Sequence, residues 1–169
     1  MKSAAVKMLK KGTFLEQPLH VLGLDSLHRD SLIVSMRKVE KTWVVVSKYG
    51  DDVWWLIGCT TNTVKAETKL DFLTIQADFR ASVKAAMYRL MRRGRAGHKR
   101  PRAASLYQVM DSVRLFTNYL YSLGISSLTK ASSLACLNYA QKRKARNGQP
   151  LASSTLFYRL TAVEILYEL

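Results

Sequence analysis

The chain has 169 residues, of which 48% are hydrophobic, and its 27 Lys and Arg against 12 Asp and Glu give a formal net charge of +15. A chain of this length and composition folds as one or two domains and buries enough surface to be stable without a disulfide bond or a bound metal ion. No apolar run approaches the roughly 20 residues that span a bilayer, and residues 1–12 lack the apolar core and cleavage site of a signal peptide. The two cysteines, Cys59 and Cys136, lie far apart, which favours a reducing, intracellular compartment.

The positive charge is concentrated in one half of the chain. Residues 79–163 contain 16 Lys and Arg but one acidic residue, Asp111, whereas the rest of the chain contains 11 of each sign. Such asymmetry is typical of a region that binds a polyanion. The alternative is a basic surface that serves solubility alone, and solubility does not require that acids be excluded from such a span. Membrane-surface binding is less favoured because the basic helices lack a Trp/Phe-rich apolar face.

The clearest β pattern lies before this basic half. The runs 42–47 and 53–57 are rich in β-branched and aromatic residues, with turn residues between them. They predict a β-hairpin over residues 42–57. Trp54 and Trp55 are expected to form its packing face, with stacking on nucleic-acid bases as the alternative.

A strong amphipathic helix follows a polar loop and ends at Gly94. Apolar residues recur at helical spacing from Phe79 to Met91, and basic residues occupy the other side. Residues 95–102 then form a basic linker with two helix breakers. We expect this linker to lie along a phosphate backbone and to become ordered there.

Residues 105–169 have the pattern of three or four helices. In the first, apolar residues recur every three or four positions up to Leu123, and Gly124 is expected to close the helix. Ile125 is placed to pack back on its last turn. The cations between Lys142 and Arg146 suit the C-terminal end of the next helix.

Each of the last two helices has a predicted inward face. The face of the first is formed by Leu134 and Leu137, with Ala140 as a further candidate. Asn147, Gly148 and Pro150 then break the chain before a Ser/Thr-rich helix start. The inward residues predicted for this last helix are Leu156, Leu160, Val163 and either Leu166 or Tyr167.

No set of residues points to catalysis or to metal binding. The three histidines stand in separate contexts, without Cys, Asp or Glu at ligand spacing. The chain has neither a Gly-x-x-x-x-Gly-Lys phosphate loop nor a Gly-x-Ser-x-Gly elbow. The five tyrosines between Tyr119 and Tyr167 are interpreted as helix residues rather than nucleophiles. We therefore expect no enzymatic activity in this chain and no cofactor or metal.

The helical half resembles the SAM-like core-binding domain of tyrosine recombinases, the phage integrase family. That family combines an apolar helix with aromatics, a Leu-Gly-Ile turn, a second helix, a Gly-containing break and a Ser/Thr-rich helix start followed by Arg-Leu. The corresponding segments are Phe116 to Leu120, Leu123-Gly124-Ile125, Ser127-Leu128-Thr129, Asn147-Gly148 and Ser153 to Val163. With the residues that precede it from Leu70, the similar region covers roughly 100 residues, 70–169.

The resemblance implies a mainly α fold. It implies a four-helix SAM-like bundle at residues 103–169, preceded by a basic helix and linker at 69–102 and a small α+β region with the hairpin at 1–68. It further implies the N-terminal, DNA-binding portion of a recombinase that grips double-stranded DNA at the crossover site, without the catalytic domain. Other recombinase protomers are then partners in a bacterial, nucleoid-associated setting, and neither a membrane nor a small-molecule cofactor is expected.

The residues expected to contact DNA fall into two groups. In the last helix, Ser154, Thr155, Tyr158 and Arg159 are expected to face the duplex, with Arg159 on either a guanine edge or a phosphate. The cations expected on phosphates are Lys84, Arg89, Arg92, Arg93, Arg95, Lys99, Arg100, Arg102, Lys142, Arg143, Lys144 and Arg146. The alternative for each cation is an ordinary solvated charge. The alternative for the whole chain is a basic helical module that binds RNA or an acidic protein and is unrelated to recombination.

Overall fold

The computed structural model describes residues 16–56, 69–95, 100–142 and 148–168, and of Gln141 and Lys142 it describes the backbone alone. These ranges are mainly helical, with a small β region near the N-terminus, as the sequence predicts. The elements in chain order are α1 (Ser26–Ser31), β1 (Ile33–Val39), β2 (Thr42–Lys48), β3 (Val53–Trp55), β4 (Lys69–Asp71), a 3-10 helix (Phe72–Thr74), α2 (Ala77–Arg93), α3 (Ala103–Ser122), a second 3-10 helix (Leu128–Lys130), α4 (Ser133–Lys142) and α5 (Ser153–Tyr167).

The β-hairpin forms between β1 and β2, so the pairing predicted within residues 42–57 is wrong. Strand β2 runs antiparallel to β1, with Val39 opposite Thr42, while β3 pairs with β4. The connecting turn is Glu40-Lys41, in which Glu40 has a φ of 52°. Neither residue is a usual former of tight hairpin turns. Strands β2 and β3 were therefore recognisable by their side chains, but the sequence carried no signal for the turn that joins β1 to β2.

The β region and the helices share one core. A single cluster of buried apolar side chains extends from Val21 to Leu166. Its aromatic centre is Trp54, which is fully buried and whose ring centroid lies 4.5 Å from that of Phe72 and 6.4 Å from that of Tyr88 on α2. The prediction that the hairpin tryptophans serve packing is thus confirmed for Trp54, which has no surface left for stacking on bases.

Helices α2 and α3 bury most of the faces that the sequence predicts and end at the predicted glycines. Leu123, predicted to lie on the inward face of α3, is 51% exposed because it caps the helix instead of continuing it. At the end of α2, Gly94 has a φ of 76°, and its N–H donates to the carbonyl of Leu90 at 2.8 Å. At the end of α3, Gly124 has a φ of 75°. The N–H of Ile125 donates to the carbonyl of Leu120 at 3.0 Å. This six-to-one bond is the Schellman motif, in which glycine takes the left-handed position without steric cost.

The inward face predicted for α4 is wrong. Leu134 and Leu137 are 64% and 51% exposed, and Ala135 and Tyr139 are buried instead. The ring centroid of Tyr139 lies 5.0 Å from that of Phe116 on α3. We attribute the rotation of α4 to this aromatic pair, because a large ring buries more apolar area than one leucine. The two leucines are left on the outer side.

Helix α5 is buried only in its C-terminal half. Leu160, predicted to point inward, is 43% exposed, and Leu156 is half-buried. The residues that this helix buries are Ala162, Val163, Ile165 and Leu166. Its first two turns therefore extend past the core, with Phe157 and Tyr158 exposed.

Replacing Trp54 by alanine is expected to lower the free energy of unfolding by about 3–5 kcal/mol, because a buried aromatic side chain leaves a cavity that the core fills only partly. Urea unfolding followed by circular dichroism at 222 nm measures this change. The matched control is Trp43→Ala, since Trp43 is only half-buried in β2 and is expected to contribute markedly less. Equal losses in both variants would contradict the central position of Trp54.

Candidate nucleic-acid interface

The first predicted DNA contact, Lys84 of α2, is engaged within the protein. Its ammonium group lies 3.6 Å from the carboxylate of Asp52 and donates to the carbonyl of Gly50 at 3.3 Å. It also lies 5.5 Å from the centroid of the Phe72 ring. The side chain is 12% exposed. Lys84 therefore holds α2 against the loop between β2 and β3, and little of it faces solvent.

Two further arginines attach α2 to the end of α5. Arg89 donates to the carbonyl of Ile165 at 3.3 Å and lies 3.7 Å from the carboxylate of Glu168. Arg95, just beyond α2, forms an ion pair with Glu164. The arginine side chains are 13% and 21% exposed, so both pairs are partly shielded from water. Their charges already have carboxylate partners.

Arg92 is buried, and exposed cations follow it along the chain. Its guanidinium lies 6.0 Å from the centroid of the Tyr88 ring, within the range of a cation–π contact. Burial lowers the pKa of Arg92; the neighbouring Tyr88 opposes this effect and the positive charge of Arg100 adds to it. Arg100 is thus close enough for its charge to act on Arg92.

The exposed cations described in this region gather between the end of α2 and the start of α3. They are Arg93, Arg100 and Arg102, which we call the basic end. Residues 92–102 contain six Lys and Arg and no acidic residue. An accumulation of like charge without acids is unfavourable within the protein and is relieved by an anionic ligand.

A groove with a volume of about 280 Å³ lies between α3 and α5. We call it the α3–α5 groove. Its α5 wall brings together Thr155, Tyr158 and Arg159, three of the four residues predicted to face DNA from this helix; Ser154 is exposed beside them. The α3 wall consists of Tyr107, Gln108, Asp111, Ser112 and Leu115.

Sequence reasoning missed the α3 wall. Tyr107, Gln108, Asp111 and Ser112 recur at helical spacing on the side of α3 away from its apolar face, so a search for polar stripes would have grouped them. Their proximity to α5 could not be read from spacing, because some 45 residues separate the two helices along the chain. That proximity depends on how the helices pack.

Arg159 has an unusual environment in the α3–α5 groove. Its Nη1 atom is buried and has no hydrogen-bond partner among the described residues. The carboxylate of the same groove, Asp111, pairs with Arg114 on its own helix. No ion pair joins Arg159 to any carboxylate in the described part of the chain.

Several predicted contacts lie outside the residues that the structure describes: Lys99, Arg143, Lys144 and Arg146. The same holds for the side chain of Lys142. Within the described ranges, no group of three or more His, Cys, Asp or Glu is arranged to hold a metal ion. None of the helices in those ranges combines the length and apolarity needed to cross a bilayer.

No family model matches the chain, and comparisons with curated proteins and with solved structures give no significant match.

Replacing Glu164 by glutamine removes the charge that holds Arg95 and keeps the shape of the side chain. We expect a higher salt concentration for elution from heparin, because Arg95 becomes available to an external anion. The free energy of unfolding should fall by about 1 kcal/mol, because the Glu164 side chain of this pair is 55% exposed and water screens the attraction.

The control for this variant is Glu40→Gln, which makes the same charge change in the exposed turn of the hairpin. Equal shifts in heparin elution for the two variants would show that net charge alone is responsible. A shift confined to Glu164→Gln would assign the effect to the release of Arg95.

Proposed function

We propose that this chain is the DNA-binding, N-terminal portion of a site-specific tyrosine recombinase, which grips duplex DNA at the crossover site through a basic helical surface. The observation that carries the proposal is the basic end, where Arg93, Arg100 and Arg102 are exposed within a stretch that contains no acid. A cluster of this kind neutralises phosphates and releases condensed counterions, which is the main source of affinity for DNA.

Two features support the recombinase class in particular. The segment 105–169 resembles the core-binding domain of that family, and a SAM-like arrangement of α3, the second 3-10 helix, α4 and α5 is part of the proposal. The helices α3 and α5 also present polar and aromatic side chains in the α3–α5 groove. Phosphate contacts position such a protein on DNA, while contacts with bases provide sequence discrimination.

The described cations have different roles in this proposal. Lys84, Arg89 and Arg95 maintain the packing of α2 against its neighbours. The basic end contacts phosphates directly. The predicted contacts outside the described residues, Lys99, Arg143, Lys144 and Arg146, add to the same electrostatic field in the proposal.

The experiment is a charge reversal of the basic end, Arg93→Glu with Arg100→Glu and Arg102→Glu, measured by fluorescence anisotropy on a labelled duplex. If three phosphate contacts are lost, the slope of log K against log salt should become shallower by about 2.7, since each contact contributes roughly 0.9. The reversal should also weaken binding at low salt, where electrostatic contacts act most strongly.

The matched control reverses three exposed cations of the hairpin, Arg37→Glu with Lys38→Glu and Lys41→Glu. This control makes the same change in net charge, but at positions that lie far from the basic end along the sequence. An unchanged duplex affinity in the basic-end variant, or an equal loss in the control, would contradict the proposed contact surface.

A second candidate function is a helical module that binds an acidic protein. One observation favours it: Leu134 and Leu137 of α4 are exposed on the same side of the helix, and such leucines are more usual at protein contacts than on DNA-facing surfaces. Competition between duplex DNA, single-stranded RNA and heparin separates the two functions. Preference for the duplex supports the recombinase proposal, and equal competition by all three supports the generic module.

A further inference from the structure

The α3–α5 groove contains a hydrogen-bond donor that the described residues do not satisfy. Buried polar atoms almost always have a partner, and one that lacks it needs an explanation. Nη1 of Arg159 is such an atom. Because a guanidinium group only donates, the missing partner must be an acceptor. Nη1 itself is enclosed, so an acceptor on a ligand in the groove reaches it when the Arg159 side chain, which is partly exposed and lines the groove, turns towards that ligand.

Aromatic side chains stand on both walls of the groove. Tyr107 comes from α3 and Tyr158 from α5, and they are 57% and 56% exposed. The ring of Phe157 packs against that of Tyr158 at 6.0 Å between centroids, with an angle of 72° between the planes. Two exposed rings on the walls of one groove offer stacking surfaces for a flat ligand.

The polar groups of the groove include both hydrogen-bond donors and hydrogen-bond acceptors. Arg159 donates, Gln108 both donates and accepts, and Asp111 accepts. Asp111 already accepts from Arg114, but a carboxylate has further lone pairs. A bare phosphate would use Arg159 and would be repelled by Asp111, and it would leave both tyrosines without a role. The lining therefore favours a planar ligand that carries acceptors on one edge and donors on another.

A nucleobase has these properties, and guanine has them most fully. Its O6 and N7 atoms are adjacent acceptors that suit an arginine, and its amino group is a donor that suits a carboxylate. The groove volume of about 280 Å³ lies just below the roughly 300–1,000 Å³ of small-molecule sites. That space accommodates one base and excludes a double helix.

We infer that the α3–α5 groove binds a single unpaired base of DNA, with a preference for guanine. The base stacks on Tyr158 or Tyr107, accepts from Arg159 and donates to Asp111. A base inside a duplex cannot reach such a groove, so it must be extruded from the stack or be unpaired beforehand. The inference rests on the proposed function in one respect, that the ligand is DNA.

The test uses the whole chain and three labelled DNAs of the same sequence: a fully paired duplex, the duplex with one bulged guanine, and the duplex with a bulged abasic residue. The abasic bulge has the same backbone and flexibility but no base. We expect the bulged guanine to bind about 5- to 150-fold more tightly than the abasic bulge, which is the range for one base–aromatic stack.

Substitutions of groove residues test whether the tighter binding of the bulged guanine than of the abasic bulge arises in the α3–α5 groove. Tyr158→Leu and Arg159→Gln should each reduce the ratio between the two bulged DNAs, and Tyr107→Leu provides a second test of stacking. The matched control is Tyr121→Leu, because Tyr121 is 54% exposed on α3 and does not line the groove. All the tyrosine positions are more than half exposed, so circular dichroism should remain that of the parent.

The outcomes separate the inference from the proposed function. Equal affinity for the two bulged DNAs overturns the inference, while binding to the paired duplex still supports the proposed function. If every groove variant still binds the bulged guanine more tightly than the abasic bulge, the inference is also overturned. Binding to the bulged guanine without binding to the paired duplex supports the inference and contradicts the proposed function. Failure to bind any of the three DNAs contradicts both.

Discussion

The attachment of the C-terminal half of α5 to the rest of the helical region is the constraint on which the candidate interface depends. Ile165 and Leu166 enter the core, the carbonyl of Ile165 accepts from Arg89, and Glu164 pairs with Arg95. Apolar burial supplies most of the stabilisation, since partly exposed ion pairs contribute little. The polar contacts have a different effect, because they fix the rotation of α5. With its last turns held, the first two turns extend beyond the core and form one wall of the α3–α5 groove.

Because of the same contacts, the net positive charge of the chain overstates the charge that a ligand can reach. Net charge measures the field of a protein at a distance, but it does not identify which cations a ligand can reach. Arg89 and Arg95 have carboxylate partners on and just beyond α5, and Lys84 pairs with Asp52 near the hairpin. The acids that neutralise the α2 cations come from outside the basic span, which is why a count along the sequence overstates the charge available at the surface. Among the described cations of residues 92–102, those that remain exposed are the three of the basic end.

How far the sequence predicts this structure depends on the range of the forces involved. Gly94 and Gly124 end their helices as predicted, because a left-handed residue after an amphipathic run is a local property. The pairing of β2 was mistaken, since the turn at Glu40 has none of the residues that usually mark a hairpin. The rotation of α4 was mistaken for a similar reason: the choice between Leu134 and Tyr139 is made by Phe116 on another helix. The groove itself needs two helices to meet, and periodicity within one helix carries no information about that.

The basic end and the α3–α5 groove are expected to depend differently on salt concentration, and so to contribute different shares of the affinity. The proposed contacts of the basic end with phosphates would weaken as salt rises, because the release of counterions into a more concentrated salt solution gains less entropy. Stacking on Tyr158 depends on apolar and π contacts, which salt screens far less. In the proposed complex the basic end therefore dominates at low ionic strength, and binding there is expected to be insensitive to sequence. As ionic strength rises towards that of the cell, a growing share of the remaining affinity comes from the groove. In the proposed complex with DNA, discrimination between sites would then follow from the few side chains between α3 and α5, although most of the charge lies elsewhere.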